Sequence, residues 1–285
     1  MLARVLTTVV LAPAVAALVW FGPPELVAAG AAAVALVALR EFFVLGERVG
    51  LRAFGKWTML CAAALFFAQY AEGLGETHRF GLGFFLVRET RLSGVSIEAV
   101  LLLFLFGAAA IGLATRRPLQ EVLPAISVSS AGLLFIAWPF SYVVRLDEIE
   151  RTGRGLLLFT LCLVWAGDIL AYLVGRWLGR MPMAPVLSPK KTWEGAFANL
   201  LGSLLVGVLF ARWLDVDVQV LLVVAGLGNI AGQMGDLMES AYKRGAAVKD
   251  SGSLLPGHGG MLDRVDALIL AAPVVWFAYQ WLIAR

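Results

Sequence analysis

The sequence predicts an all-α, polytopic integral membrane protein of about nine transmembrane helices. Three observations carry that prediction. Hydrophobic residues make up 60% of the chain and charged residues only 15%, against roughly half and about a quarter in soluble domains. The mean hydropathy of +0.85 agrees. The apolar residues gather in runs long enough to cross a bilayer, and Lys and Arg are shared unevenly between the segments that join the runs. A chain so composed cannot cover its apolar surface with polar residues in water, so the bilayer is its expected solvent.

The candidate spans, in order, are 4–21, 25–45, 57–73, 97–114, 123–144, 155–175, 194–212, 218–241 and 266–283. Backbone groups in lipid must bond within their own segment, so these runs are expected to be helices, and they are too long for the strands of a membrane barrel. The first run, with Arg4 ahead of it and small residues at 14–17, resembles a signal peptide. It continues to Trp20 and a second run follows at once, so an uncleaved span is expected. The second ends at Arg40 and Glu41, expected as an interfacial anchor. The third is the shortest and stops at the polar stretch 72–79. Segment 74–96, with Phe80, Phe84, Phe85 and Leu86 among charges, is expected to lie in the outer interface. Cys61 and Cys162 fall inside apolar runs and are read as packing residues.

Fourteen Lys and Arg lie at the amino terminus and in the even-numbered loops, and eight on the other side. The positive-inside rule therefore places the amino terminus and the even loops in the cytoplasm. Residues 1–150 are expected to be a transmembrane scaffold. Residues 151–285 are expected to form the catalytic region, with cytoplasmic loops 176–193 and 242–265. No soluble domain and no internal repeat is evident, which weakens a transporter reading.

Chemistry concentrates in that second half. Asp168 lies well inside the sixth run, where a carboxylate is expensive and so points to function, and Tyr172 shares its face. A structural hydrogen bond within the bundle is the plainer account of Asp168. Loop six carries Ser188, Lys190, Lys191, Thr192, Trp193 and Glu194. Paired lysines with hydroxyls on both sides suit an anionic ligand at headgroup level, and a positive-inside anchor is the alternative. The eighth run holds Asn229, Gln233, Asp236, Glu239, Ser240 and Lys243 at spacings that share one helical face. Two carboxylates and a lysine on that stripe exceed what interhelical glue needs. Loop eight carries Lys249 and Asp250, then Pro256-Gly257-His258-Gly259-Gly260, then Asp263, Arg264 and Asp266. Carboxylates one helical turn apart beside basic residues suit Mg²⁺ bridged to phosphates. His258 is either a site residue or a loop imidazole bonding the backbone. No Walker loop is present.

These residues resemble the phosphatidate cytidylyltransferase (CDP-diacylglycerol synthase) family. The resemblance rests on Ser240, Lys243, Arg244, Lys249, Asp250, the Pro256–Gly260 run, Asp263, Arg264 and Asp266, with Ser188–Gly195 and Gly235–Ser240 upstream. It covers about residues 165–268. It implies transfer of the cytidylyl group of CTP to phosphatidate, with Mg²⁺, giving CDP-diacylglycerol and pyrophosphate for phospholipid synthesis. On that reading Asp236, Asp263 and Asp266 hold the metal, supported by Asp250. Lys243, Arg244 and Arg264 neutralise phosphates, Ser240 bonds one, and Lys190 and Lys191 recruit one, with Ser188, Lys249, His258 and Asp168 around the substrates. Ser251 is where another small or polar residue is expected, and it is taken to stand outside the chemistry. The expected partners are CTP, phosphatidate and membrane lipid, with a second copy of the chain as a candidate and no nucleic acid. The expected location is the bacterial inner membrane. The alternatives are a CTP-dependent polyprenol or phytol kinase, which releases CDP, and an ion-coupled transporter using Asp168, Asp236 and Glu239.

Overall fold

A computed structural model describes residues 2–77, 96–115, 118–149, 151–254 and 259–283. The elements in order are α1 (Leu2–Phe21), α2 (Pro24–Arg48), α3 (Gly55–Thr77), α4 (Ile97–Ala114), α5 (Leu119–Gly132), a π-turn (Leu133–Ala137), α6 (Trp138–Asp147), α7 (Gly153–Leu178), strands β1 (Pro182–Ala184) and β2 (Ser188–Thr192), α8 (Trp193–Leu214), α9 (Val218–Gly245) and α10 (Leu262–Ile283).

Among the described residues, seven helices are long and apolar enough to cross a membrane, counting α5 to α6 as one rod, Leu119–Asp147. The chain is therefore an all-α polytopic membrane protein. The expectation of about nine spans differs at α1 and α3. The described apolar part of α1 is Val10–Phe21, which is short for a span. In α3, Lys56, Gln69, Tyr70 and Glu72 dilute the apolar run. The interfacial reading of 74–96 lies largely outside the described residues.

Local sequence sets the helix boundaries. Pro24 opens α2 with Glu25 in its first turn and Arg48 in its last, matching the helix dipole. The Ser96 side chain caps α4 by accepting from Ala99 N–H at 3.2 Å. Pro139 has no N–H to give the carbonyl four residues back. The ladder widens there, and Trp138 N–H donates to Leu133 O. Asp215 takes a left-handed conformation, φ 53°, to end α8, and Asp217 caps α9 by accepting from Gln219 N–H at 2.7 Å.

The chain packs as two compact units, Phe21–Gly153 and Met1–Trp20 with Arg154–Arg285. The packing boundary lies at 153/154, and α1 groups with the C-terminal unit. There Trp20 stacks on Trp213 of α8 at 5.1 Å, and Arg154 Nη1 donates to Trp20 O at 2.9 Å.

In the unit 21–153, buried polar groups are paired across helices. Phe54 N–H donates to Ser129 Oγ at 2.8 Å, Gln69 Nε2 to Ser141 Oγ at 3.0 Å, and Trp57 Nε1 to Phe104 O at 3.1 Å. In the other unit, α9 lies between α8 and α10. Small residues let these backbones approach, as expected where lipid supplies no hydrophobic drive. Gly207 meets Leu221 O and Ala225 across α8 and α9, and Gly232 meets Ala267 and Ala271 across α9 and α10.

Candidate active site

Loop six is built where α7 ends and α8 begins. It is a small antiparallel hairpin rather than an irregular loop, pairing Pro182 with Thr192 and Ala184 with Ser188. The Glu194 carboxylate accepts from the backbone N–H of Arg180 at 3.1 Å and of Met181 at 3.2 Å. Thr192 caps α8 by accepting from Gly195 N–H at 3.2 Å. One short sequence, Thr192-Trp193-Glu194-Gly195, thus starts a helix and ties the hairpin to its end. The hairpin carries Lys190, exposed, and Lys191, half-buried.

Both lysines line a cavity of roughly 250 Å³ with Asp168 of α7, Asn199 of α8 and Asp236 of α9. Lys191 pairs with Asp236, whose side chain is 31% exposed. Asn199 Nδ2 donates to Asp168 Oδ1 at 3.2 Å. Asp168 feels the charges of Asp236, Lys191 and Arg264, and Asp266 of α10 those of Asp236, Asp168 and Lys243. Gly235 lets the helices close here. A Cβ on it would lie 2.3 Å from Asp266 O.

Two turns further along α9 is a second ionic cluster. Lys243 Nζ pairs with Glu239, one turn back, and with Asp263 Oδ1 of α10 at 2.6 Å. The side chains are 3% exposed for Glu239, 12% for Lys243 and 6% for Asp263. Asp263 Oδ2 accepts from Gly260 N–H at 2.8 Å, Ser251 N–H at 2.9 Å and Ser251 Oγ at 3.0 Å. Loop eight is therefore folded back onto the first turn of α10. Gly259, at φ +81°, permits this, since a Cβ there would lie 2.6 Å from Asp263 Oδ2.

The structure thus brings Asp168, Lys190, Lys191 and Asp236 together, and Lys243 and Asp263 together, with Asp266 within electrostatic reach of both groups. Ser240 is buried on α9, and Ser188 sits in the hairpin. Lys249, Asp250 and Arg264 are exposed. Arg244 donates to Leu187 O at 3.0 Å and Val248 O at 3.1 Å, tying the hairpin to loop eight. His258 lies outside the described residues. Ser251 corrects the sequence reading. It stands against Asp263 with two donors, because the loop turns back on α10. Asn199 was missed, although a polar pair at 199 and 203 inside an apolar helix was its signal.

Among the described residues, no three His, Cys, Asp or Glu side chains are gathered closely enough to hold a metal by themselves. The donor chemistry nevertheless fits a hard divalent cation. Three carboxylates, Asp168, Asp236 and Asp266, lie within mutual electrostatic reach. Mg²⁺ needs only one or two of them plus substrate phosphates.

Helices of membrane-spanning length around a cavity of lysines and carboxylates define a polytopic membrane protein with an ionic cavity among its helices. The model of the cytidylyltransferase family matches residues 2–282, and the chain belongs to that family. A phosphatidate cytidylyltransferase of Synechocystis sp. is 43% identical over 145 residues, 49% of this chain and 47% of that protein. Its Staphylococcus epidermidis counterpart is 42% identical over 130 residues, 45% and 50% of the two chains. That of Bacillus subtilis is 35% identical over 146 residues, 50% and 54%. The chain spans about half the length of the curated relatives it matches.

Proposed function

We propose that the chain is a phosphatidate cytidylyltransferase, joining CTP to phosphatidate to give CDP-diacylglycerol and pyrophosphate. One observation carries the reading. A hairpin presents Lys190 and Lys191 to a cavity whose walls include the helix carboxylates Asp168 and Asp236. That arrangement suits a lipid-borne phosphate meeting a nucleoside triphosphate at the membrane surface. The family match and the relatives' names support it.

In the proposed reaction a phosphatidate phosphate oxygen attacks the α-phosphorus of CTP. The bond to the β-phosphate breaks in line, and pyrophosphate leaves with the electron pair. The nucleophile is already an anion, so the chain's task is positioning and charge neutralisation. Lys191, now on Asp236, exchanges that partner for a substrate phosphate, and Lys190 adds a second cation. Lys243 is held ready by Glu239 and Asp263. Asp236 and Asp266 would hold Mg²⁺, which would supply positive charge to neutralise the substrate phosphates. Asp263, first expected beside them as a ligand, has both oxygens engaged. It is proposed instead as the residue that holds Lys243 and loop eight in place. The proposed location is a bacterial inner membrane, with the hairpin and loop eight in the cytoplasm.

The test is pyrophosphate release by purified protein with CTP, dCTP, ATP or GTP, each with and without phosphatidate. CTP-dependent release that requires phosphatidate is expected. Release of CDP instead would establish a lipid kinase, and ion flux without CTP consumption a transporter.

A further inference from the structure

A thread of side-chain hydrogen bonds runs through the packed centre of α7, α8 and α9. Gln233 Nε2 donates to Asn229 Oδ1 at 2.7 Å. Asn229 Nδ2 donates to Asn199 Oδ1 and to Ser203 Oγ, the latter at 2.7 Å. Asn199 Nδ2 donates to Asp168 Oδ1 at 3.2 Å. Ser203 Oγ donates in turn to Leu163 O at 2.9 Å. Asn199, Ser203 and Asn229 are all buried. Gly167 is required for the approach, since a Cβ on it would lie 2.1 Å from Asn199 Oδ1.

The thread has a direction. Each amide accepts from the one behind and donates to the one ahead, and the last donor meets a carboxylate. Gluing helices together needs only satisfied groups. It needs neither a common polarity nor an end on an acid that lines the cavity. A donor held rigidly against one oxygen of a carboxylate fixes its orientation. The charged groups around Asp168 are Asp236 and Lys191 across the cavity and Arg264 on α10.

We propose that Asn199, backed by Asn229, is a positioning residue for cytidylyl transfer. It clamps Oδ1 of Asp168 and leaves the other oxygen to the cavity, as an acceptor for substrate or cation. The kinetic arm of this proposal rests on the function proposed above, and the spectroscopic arm does not.

Asn199→Asp keeps the shape and removes the donor. Two carboxylates then face each other across the same contact, which favours holding one proton between them. The double exchange Asp168→Asn with Asn199→Asp restores a donor facing an acceptor and keeps the bond from Asn229. It moves the carboxylate from position 168 to position 199 on the same cavity wall. In purified protein at neutral pH, Asn199→Asp is expected to gain a protonated-carboxyl infrared band in difference spectra against the parent and against the exchange variant. Its unfolding midpoint in detergent falls, and the exchange variant recovers it. In both variants kcat for pyrophosphate release drops at least about tenfold, with KM for CTP within about threefold of the parent.

An exchange variant that regains kcat along with stability overturns the proposal, because the thread is then packing alone. So does an Asn199→Asp protein without the new infrared band. If the parent itself releases no pyrophosphate, the functional reading fails, and the infrared band still decides the clamp. Should Asn199→Asp not fold, Asn199→Ser carries the kinetic arm. A reduced kcat at unchanged KM supports the clamp, and an unchanged kcat overturns it.

Discussion

Asp263 is the side chain for which the sequence and the fold suggest different neighbours. Its place beside Asp266, one helical turn on, suggested a shared cation. In the fold its two oxygens receive Lys243, Ser251 and Gly260 instead. Asp263→Asn is therefore expected to lower kcat about 100-fold, the scale of losing one preorganised electrostatic contact, while leaving the Mg²⁺ concentration for half-maximal rate unchanged. A large rise in that concentration would return Asp263 to the metal. Ser251→Ala removes one donor and keeps the backbone one. A stability loss of about 1 kcal/mol is expected by chemical denaturation, with a smaller kinetic defect than Asp263→Asn. Gly235→Ala should be worse for folding than either, since the added carbon would strike the Asp266 carbonyl. Lower yield and a lower unfolding midpoint are the measurements.

At the scale of elements, the hairpin β1–β2 is the least obvious part. Its lysines were visible in sequence, but its strands were not. A five-residue strand, Ser188–Thr192, with a proline and two lysines has little local preference for pairing. What makes it pair is Glu194, which accepts the N–H groups of Arg180 and Met181, and the start of α8 at Thr192. Thr192→Ala is expected to lose about 1 kcal/mol through the missing cap. Glu194→Ala is expected to raise KM more than it lowers kcat, because it frees the lysines rather than removing them. Equal falls in kcat and kcat/KM would show instead that Glu194 acts on the transition state. The π-turn before Pro139 was also not anticipated. Its cause, a missing N–H, is local, but whether a helix breaks or widens there depends on what packs around it.

At the scale of the whole molecule, the proposed orientation makes one sharp prediction. Val186, in the hairpin turn, is 85% exposed. Val186→Cys should react with a membrane-impermeant maleimide in inverted vesicles and not in intact cells, in a background where Cys61 and Cys162 are replaced. Labelling in intact cells would place the hairpin, and with it the lysines of the site, on the other side. On the proposed function, this side is the one on which a cytosolic triphosphate and a membrane lipid meet.

The sequence alone determined that the chain is a helical membrane protein and that its candidate site residues sit from α7 to α10. Both follow from local quantities, the length of apolar runs and the rarity of ionisable residues within them. The polar stripe on α9 was legible for the same reason, since helical periodicity is a property of one segment. Only the tertiary structure decided which groups meet. It grouped α1 with the C-terminal unit, put Ser251 on Asp263, set Lys191 on Asp236 and ran the Asn229–Asn199 thread to Asp168. Those pairings join residues on different elements. They depend on how closely the backbone approaches its neighbours at Gly167, Gly235 and Gly259, a distance that no single segment encodes.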